Sequence, residues 1–124
     1  MSSTIAMLQV SNGRKTGFLG QNKIYIGRAN KTYNLAQSPL ANPYIISEST
    51  LNRTKVIELY REWLWCQVKS WQETGNLNPA VEALLDICDR VKGEHIILTC
   101  WCDPLACHGD IVVRCVNWMI AQGY

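Results

Sequence analysis

The sequence of 124 residues has no apolar run near the ~20 consecutive residues that a membrane span needs. Its first residues lack the basic and apolar regions of a secretory signal, and no internal repeat or low-complexity linker follows. These absences argue against a membrane partner and predict a cytoplasmic protein. With 48% hydrophobic and 18% charged residues, the chain is expected to form one globular domain, residues 1–124.

Acidic residues are absent from the first third of the chain. Residues 1–47 carry five basic side chains, namely Arg14, Lys15, Lys23, Arg28 and Lys31. Residues 48–124 carry seven basic and ten acidic side chains, so the two segments have charges of +5 and −3 within the net charge of +2. A segment whose charged side chains are all positive favours an anionic ligand such as a phosphate, although a solvated basic hairpin explains the same pattern. Five charges are too few for a nucleic-acid footprint, so no nucleic-acid partner is expected.

Histidine is scarce, and cysteine is unevenly placed. The chain has two histidines and six cysteines. Without a secretory signal, the cysteines are expected to be reduced thiols. Cys66, Cys88 and Cys115 fall within helical patterns, where we expect them to behave as small hydrophobic residues. The other three cysteines are clustered near the C-terminus, at Cys100, Cys102 and Cys107.

Hydrophobic periodicity predicts elements in the order β-β-α-α-β-α. Strands are expected over 4–10, 23–28 and 95–99, the last being the most apolar and so the most buried. Helices are expected over 51–72, from a capping Asn78 to Gly93, and over 109–122. A fourth short strand is expected within 17–21 or 44–47. This order predicts a compact three-layer, Rossmann-like α/β domain with a small, mostly parallel sheet flanked by helices.

The helix expected over 51–72 has a broad apolar face. Tyr60, Leu64 and Val68 recur at the spacing of a core stripe, and Trp63 widens it. Together with the five tryptophans of the chain, this width indicates either a homo-oligomer or a helix packed on two sides. Its N-terminal cap is expected at one of three polar residues, Ser49, Thr50 or Asn52.

A strand, a polar loop and a helix start follow one another around residues 100–110. The loop holds three thiols, one imidazole and two carboxylates. In α/β proteins, such loops commonly bind ligands because the first N–H groups of the helix lack intrahelical partners. We therefore expect the functional site here.

Three interpretations of this loop remain open. In the first, Cys107 is a thiolate at the helix start, His108 acts as acid or base, and Asp103 or Asp110 orients the imidazole. In the second, the loop is structural: Trp101 packs inward, Asp110 caps the helix and the thiols are buried spacers. Cys100 fits this structural role best.

Zinc binding is the third interpretation. The ligands would be Cys100, Cys102, Cys107 and His108, which are of the right chemical type. All four lie within nine residues, whereas structural zinc sites usually take ligand pairs from two separated knuckles. No cofactor is therefore expected, and zinc is kept as the one candidate metal.

Two further motifs lie in the basic first third. Gly27 would allow close approach of the backbone, and Arg28 would present a planar fork to phosphate or carboxylate, although a solvated edge-strand arginine fits equally well. Asn42, Pro43 and Tyr44 offer an amide and an aromatic ring from a loop whose shape two prolines restrict. These groups could bracket a base or ribose, or form a turn followed by a core tyrosine.

Taken together, these motifs resemble domain-of-unknown-function family 4326. The resemblance rests on residues 24–28, 38–44, 60–62 and 98–102, on Pro104, and on the specific Cys107-His108-Gly109-Asp110. It implies a small bacterial or phage protein and brings no activity, ligand or catalytic residue. The positions that the family pattern features are Gly27, Arg28, Asn42, Pro43, Cys100, Cys102, Pro104, Cys107, His108 and Asp110. The chain departs from the family's leaner form through a longer segment between residues 62 and 93.

The leading hypothesis is a protein that binds an anionic, nucleotide-like small molecule; whether it also processes that molecule stays open. Ligand contacts are expected from Gly27, Arg28, Ser38, Asn42, Pro43, Tyr44, Trp101 and Asp103, and any chemistry from Cys107, His108 and Asp110. The alternatives are a non-catalytic nucleotide-signal sponge of phage type and a zinc-stapled interaction module. The hypothesis depends on one spatial expectation, that the Arg28 guanidinium shares a pocket with the His108 imidazole.

Overall fold

The computed structural model describes residues 8–44, 52–101 and 107–124. Its elements are β1 (Leu8–Asn12), α1 (Gly13–Thr16), β2 (Lys23–Tyr25), α2 (Arg53–Thr74), α3 (Pro79–Val91), β3 (Ile96–Cys100) and α4 (His108–Ala121). The strands form one parallel sheet in the order β1-β3-β2. The α/β class, with a small parallel sheet flanked by helices, is therefore confirmed.

β3 lies at the centre of the sheet, as its apolar composition predicts. Leu98 pairs with Val10 of β1 on one side and with Ile24 of β2 on the other. Because all three strands run in the same direction, their carboxyl ends lie at one edge of the sheet. The segments that follow Tyr25 and Cys100 therefore start side by side, which positions the candidate site.

One face of the sheet packs against α3 and α4, and α2 packs against both of these helices. Side chains at alternate positions of β3, such as Ile96 and Leu98, join a buried cluster with the three helices. In α2 the predicted stripe is confirmed, since Tyr60, Leu64 and Val68 are fully buried. Burial of one such side chain stabilises a fold by roughly 1.5–3 kcal/mol, so this cluster is the main source of stability.

The opposite face of the sheet is covered by α1 and by a small aromatic cluster. We define this aromatic cluster as Phe18, Tyr25, Tyr33 and Trp101, whose rings contact one another. The Thr99 hydroxyl, on this face of β3, donates to the Phe18 carbonyl at 2.8 Å. The third layer of the fold is thus built by short segments instead of long helices.

Local signals place most of the helix ends. Asn52 caps α2 and Asn78 caps α3, each through a side-chain oxygen that accepts a backbone N–H. α2 ends at Gly75, whose φ of 77° is the left-handed conformation that glycine adopts without strain. Of the predicted fourth strand, residues 45–47 lie outside the described residues, and Gly20 forms only an isolated bridge with Lys23.

The helical cysteines differ in burial. Cys88 and Cys115 are buried as expected, but Cys66 is exposed, so the expectation for Cys66 is wrong. Cys66 follows the buried Leu64 by two residues, which turns its side chain toward the opposite face of α2. Trp65 contacts Trp118 of α4 edge to face, with ring centroids 4.9 Å apart. Because Trp65 lies outside the predicted apolar stripe, α2 also packs on a second side within the chain, and the homo-oligomer stays a prediction.

None of the helices in the described ranges combines the length and the apolar character that crossing a membrane requires.

Candidate functional site

The first turn of α4 is closed by a reciprocal pair of caps. The Cys107 sulfur accepts the Gly109 N–H at 3.2 Å, and an Asp110 carboxylate oxygen accepts the Cys107 N–H at 3.3 Å. This is a capping box in which a thiol takes the place of the usual hydroxyl. Asp110 thus contributes to the cap from inside the first turn, and the N-cap residue itself is Cys107.

Gly109 lets the start of α4 approach the sheet closely. A β-carbon at this position would lie 3.0 Å from a Val10 methyl and 3.1 Å from the Ile26 δ-methyl. Such contacts are tighter than ordinary van der Waals separation, and Ile26 is fully buried. The absence of a side chain at Gly109 therefore brings the end of β2 against the helix start.

This close approach allows a hydrogen bond between His108 and the residue after β2. His108 Nε2 lies 2.7 Å from the Ile26 carbonyl oxygen. A carbonyl oxygen only accepts hydrogen bonds, so Nε2 carries the proton and Nδ1 of the neutral ring carries a lone pair. Nδ1 lies 4.0 Å from the Cys107 sulfur. His108 is thus held in the tautomer that can take a proton from the adjacent thiol.

The surroundings of His108 favour its neutral form. Burial lowers the pKa of the imidazole below 6.5; the Ile26 carbonyl opposes this, the positive charge of Arg28 adds to it, and the Asp110 carboxylate opposes it. The ring also contacts the Tyr60 ring edge to face, with centroids 5.0 Å apart. Because Arg28 contributes to this lowering, the guanidinium lies within electrostatic range of the imidazole; that the two groups share a pocket stays a prediction.

Arg28 also holds the loop that follows it. Its Nη2 donates to the carbonyl oxygens of Asn42 and Tyr44, the latter at 2.6 Å. The buried Asn42 side chain accepts the Tyr44 N–H at 2.8 Å and donates to the Val56 carbonyl at 3.5 Å. The Asn42 amide thus forms its hydrogen bonds with backbone groups, which agrees with the interpretation of this motif as a turn. Pro43 is exposed, and Tyr44 is partly buried.

Gly27 and Ser38 join the two ends of this loop. The Ser38 N–H donates to the Gly27 carbonyl at 3.0 Å, and the Ser38 hydroxyl accepts the Leu40 N–H at 3.0 Å. A β-carbon on Gly27 would lie 2.4 Å from the Tyr25 hydroxyl oxygen. Position 27 therefore has no room for a side chain while the Tyr25 hydroxyl stays in its place.

The Tyr25 hydroxyl connects the aromatic cluster to Arg28. It donates to the Arg28 carbonyl and accepts the indole N–H of Trp101 at 2.7 Å. Trp101 is partly buried, and Tyr33, on the outside of the cluster, is 48% exposed. An aromatic surface therefore lies next to the backbone of Arg28.

Two thiols meet beneath the helix start. The sulfur atoms of Cys100 and Cys107 lie 3.3 Å apart, in hydrogen-bond contact. Cys102 and Asp103, which the sequence also nominates, lie outside the described residues. Among the described residues, no group of three or more His, Cys, Asp or Glu is arranged to hold a metal ion.

The described candidate residues thus lie in a hydrogen-bonded network at the carboxyl edge of β2 and β3, in which one set of bonds surrounds Arg28 and a second surrounds His108, and the two sets meet through the backbone of residues 26–28. Sequence reasoning placed Tyr60 in the core stripe and in the family pattern but gave it no role in the site. The Tyr60 hydroxyl donates to the Leu40 carbonyl at 2.7 Å, and burial raises its pKa. The hydroxyl of Tyr60 therefore bonds to the loop that contains Leu40, while its ring packs against His108. The hydroxyl group of Tyr60, in an otherwise apolar stripe, was the feature of the sequence that could have indicated this role.

Comparison with known proteins identifies a family. No curated protein and no solved structure matches the chain significantly. The sequence model described as Domain of unknown function (DUF4326) matches residues 10–118 and so includes every described residue of the network. The chain therefore belongs to the DUF4326 family.

Proposed function

We propose that the protein binds an anionic, nucleotide-like small molecule beside the start of α4. The observation that carries the proposal is the Tyr25 hydroxyl bridge, which links the indole N–H of Trp101 to the backbone carbonyl of Arg28 and so places a cationic residue beside a partly exposed aromatic surface. A nucleotide presents the matching pair of groups, a phosphate and a flat base.

The phosphate end of the ligand is favoured by two sources of positive potential. The N-terminus of a 14-residue helix carries a partial positive charge. Arg28 adds a full charge, which is strong enough at His108 to lower the imidazole pKa. Within the described part of the chain, Nη2 makes the side-chain bonds of Arg28, which leaves the N–H groups of Nη1 and Nε for an anion.

The base end is favoured by the aromatic cluster. Trp101 and Tyr33 contact each other at 5.3 Å between centroids, and both are reachable from solvent. Aromatic stacking contributes about 1–3 kcal/mol per base and tolerates different bases. The site is therefore expected to select for a phosphate and a base more strongly than for one particular base.

Binding can be tested by calorimetry with the four common ribonucleoside 5′-monophosphates, the matching nucleosides and inorganic phosphate. We expect a nucleotide to bind more tightly than its nucleoside or phosphate alone. Arg28→Gln should weaken nucleotide binding about 10- to 100-fold, since a charged hydrogen bond contributes about 1.5–3 kcal/mol. It should leave nucleoside binding nearly unchanged, whereas Trp101→Leu should weaken both.

Lys31→Gln is the matched control, because Lys31 is an exposed cation of the same basic segment. Equal losses for Arg28→Gln and Lys31→Gln would show a general charge effect and contradict the site. Failure of all nucleotides to bind would contradict the proposal itself. Nucleotide recovered unchanged after incubation favours the sponge, and a converted nucleotide whose conversion is lost in Cys107→Ser favours an enzyme.

A further inference from the structure

Cys100 and Cys107 form a buried pair of thiols from two different elements. Cys100 ends β3, Cys107 caps α4, and their side chains are 1% and 3% exposed. Their sulfur atoms are 3.3 Å apart, against about 2.05 Å in a disulfide. The sulfurs therefore need to approach by only about 1.2 Å to bond.

The surroundings of Cys107 favour its thiolate. The Gly109 N–H donates to the sulfur at 3.2 Å, and the sulfur lies at the positive end of α4. The unprotonated Nδ1 of His108, 4.0 Å away, can take the thiol proton. Cys107 is therefore the sulfur of the pair that is set up to attack first.

We propose that Cys100 and Cys107 are a redox-active pair that a peroxide converts to an intramolecular disulfide. The Cys107 thiolate attacks one peroxide oxygen, the O–O bond breaks, and the leaving hydroxide takes the proton held on His108 to form water. The Cys100 sulfur then attacks the sulfenic sulfur of Cys107, the S–O bond breaks, and the departing hydroxide takes the Cys100 proton. Two thiols and one peroxide give one disulfide and two waters.

The other described thiols are poorer partners. Burial raises the pKa of Cys115 to about 12 and also raises the pKa of Cys88, and both lie inside helices, without the helix-start N–H and the imidazole that lie beside Cys107. Cys66 is exposed on the outer face of α2. A small oxidant such as a peroxide suits the pair because both of its sulfurs are buried.

The disulfide would alter the start of α4. Its sulfur is a weaker acceptor for the Gly109 N–H, and His108 loses the thiol beside Nδ1. The pair would thereby couple the oxidation state of the cell to the geometry of the helix start. This inference does not rest on the proposed function, because the thiols react without any nucleotide.

The reaction can be followed on the reduced full-length protein with hydrogen peroxide, alkylation of the remaining thiols and tandem mass spectrometry. Cys100, Cys102 and Cys107 all lie between Lys92 and Arg114, in one tryptic peptide. We expect this peptide to lose two hydrogen atoms and to carry its only alkyl group on Cys102. Treatment with a reducing dithiol should restore three alkylated cysteines.

Variants separate the pair from its neighbours. Cys100→Ser and Cys107→Ser should abolish the cross-link, Cys66→Ser should leave it intact, and His108→Gln should slow its formation by at least about tenfold. A cross-link that includes Cys102, or one between Cys88 and Cys115, would overturn the proposal. So would accumulation of oxidised Cys107 in the wild-type protein without a cross-link, a result that needs no variant to fold.

Discussion

At the scale of single residues, the most demanding position in the site has no side chain. Gly109→Ala would place a methyl group 3.0–3.1 Å from Val10 and Ile26, both of which are held in the sheet region. Overpacking of this kind costs about 1–3 kcal/mol, whereas the better helix propensity of alanine returns about 1 kcal/mol. We expect a net loss of up to about 2 kcal/mol in the free energy of unfolding, measured by urea titration.

Gly93→Ala is the control for Gly109→Ala. A β-carbon there would have no atom within 4 Å, and the φ of Gly93 is not positive. Alanine at this position should be neutral or stabilise the protein by about 0.4–1 kcal/mol. If both variants lose the same stability, the close packing of α4 on the sheet is not what Gly109 provides.

At the scale of elements, Asn78 joins two helices while it caps one. Its Oδ1 accepts the Val81 N–H at 2.9 Å, and its Nδ2 donates to the Gln67 carbonyl of α2 at 3.0 Å. Asn52 caps α2 through the Lys55 N–H. Asn52→Ala should therefore cost about 1 kcal/mol of unfolding free energy, and Asn78→Ala about 2 kcal/mol.

Asn78→Asp separates the two contributions of Asn78. The carboxylate keeps the cap but cannot donate to Gln67, so its stability should fall between those of the wild type and Asn78→Ala. Thermal and urea unfolding followed by circular dichroism measure all three. A stability for Asn78→Asp equal to that of the wild type would show that the contact with α2 contributes nothing.

At the scale of the whole molecule, His108 makes stability depend on pH. Its folded pKa lies below 6.5 because of burial, so the unfolded chain binds the proton more readily. The contribution of His108 is therefore complete above pH 6.5 and is lost as the pH falls from 6.5 through the folded pKa. Unfolding free energies from about pH 5 to about pH 8 should show this decline in the wild type.

The decline of the unfolding free energy at low pH should largely disappear in His108→Gln, because the glutamine amide can still donate to the Ile26 carbonyl but does not titrate. His95→Gln should retain it, because His95 is exposed at the start of β3. Identical pH profiles for the wild type and His108→Gln would contradict the assignment of a buried, neutral imidazole.

Features that depend on near neighbours were predictable from the sequence. Asn52 and Asn78 signal helix starts because a cap acts over three residues, and the apolar stretch before Cys100 signals a central strand because such a strand is covered on both faces. α1 was missed because a four-residue helix leaves no periodic pattern. β2 ends at Tyr25 instead of Arg28 because Gly27 bonds to Ser38, a contact that periodicity does not report.

The sequence by itself determined which chemical groups this protein has: the thiols, the imidazole, the arginine and their place after a strand and before a helix. Only the tertiary structure decided which of those groups hold the backbone and which are left for chemistry. The bond from His108 to Ile26 joins residues 82 positions apart, and the Arg28 bond to Tyr44 spans 16. Such contacts form only once the sheet order brings the strand ends together, because no local pattern specifies which distant backbone groups will meet.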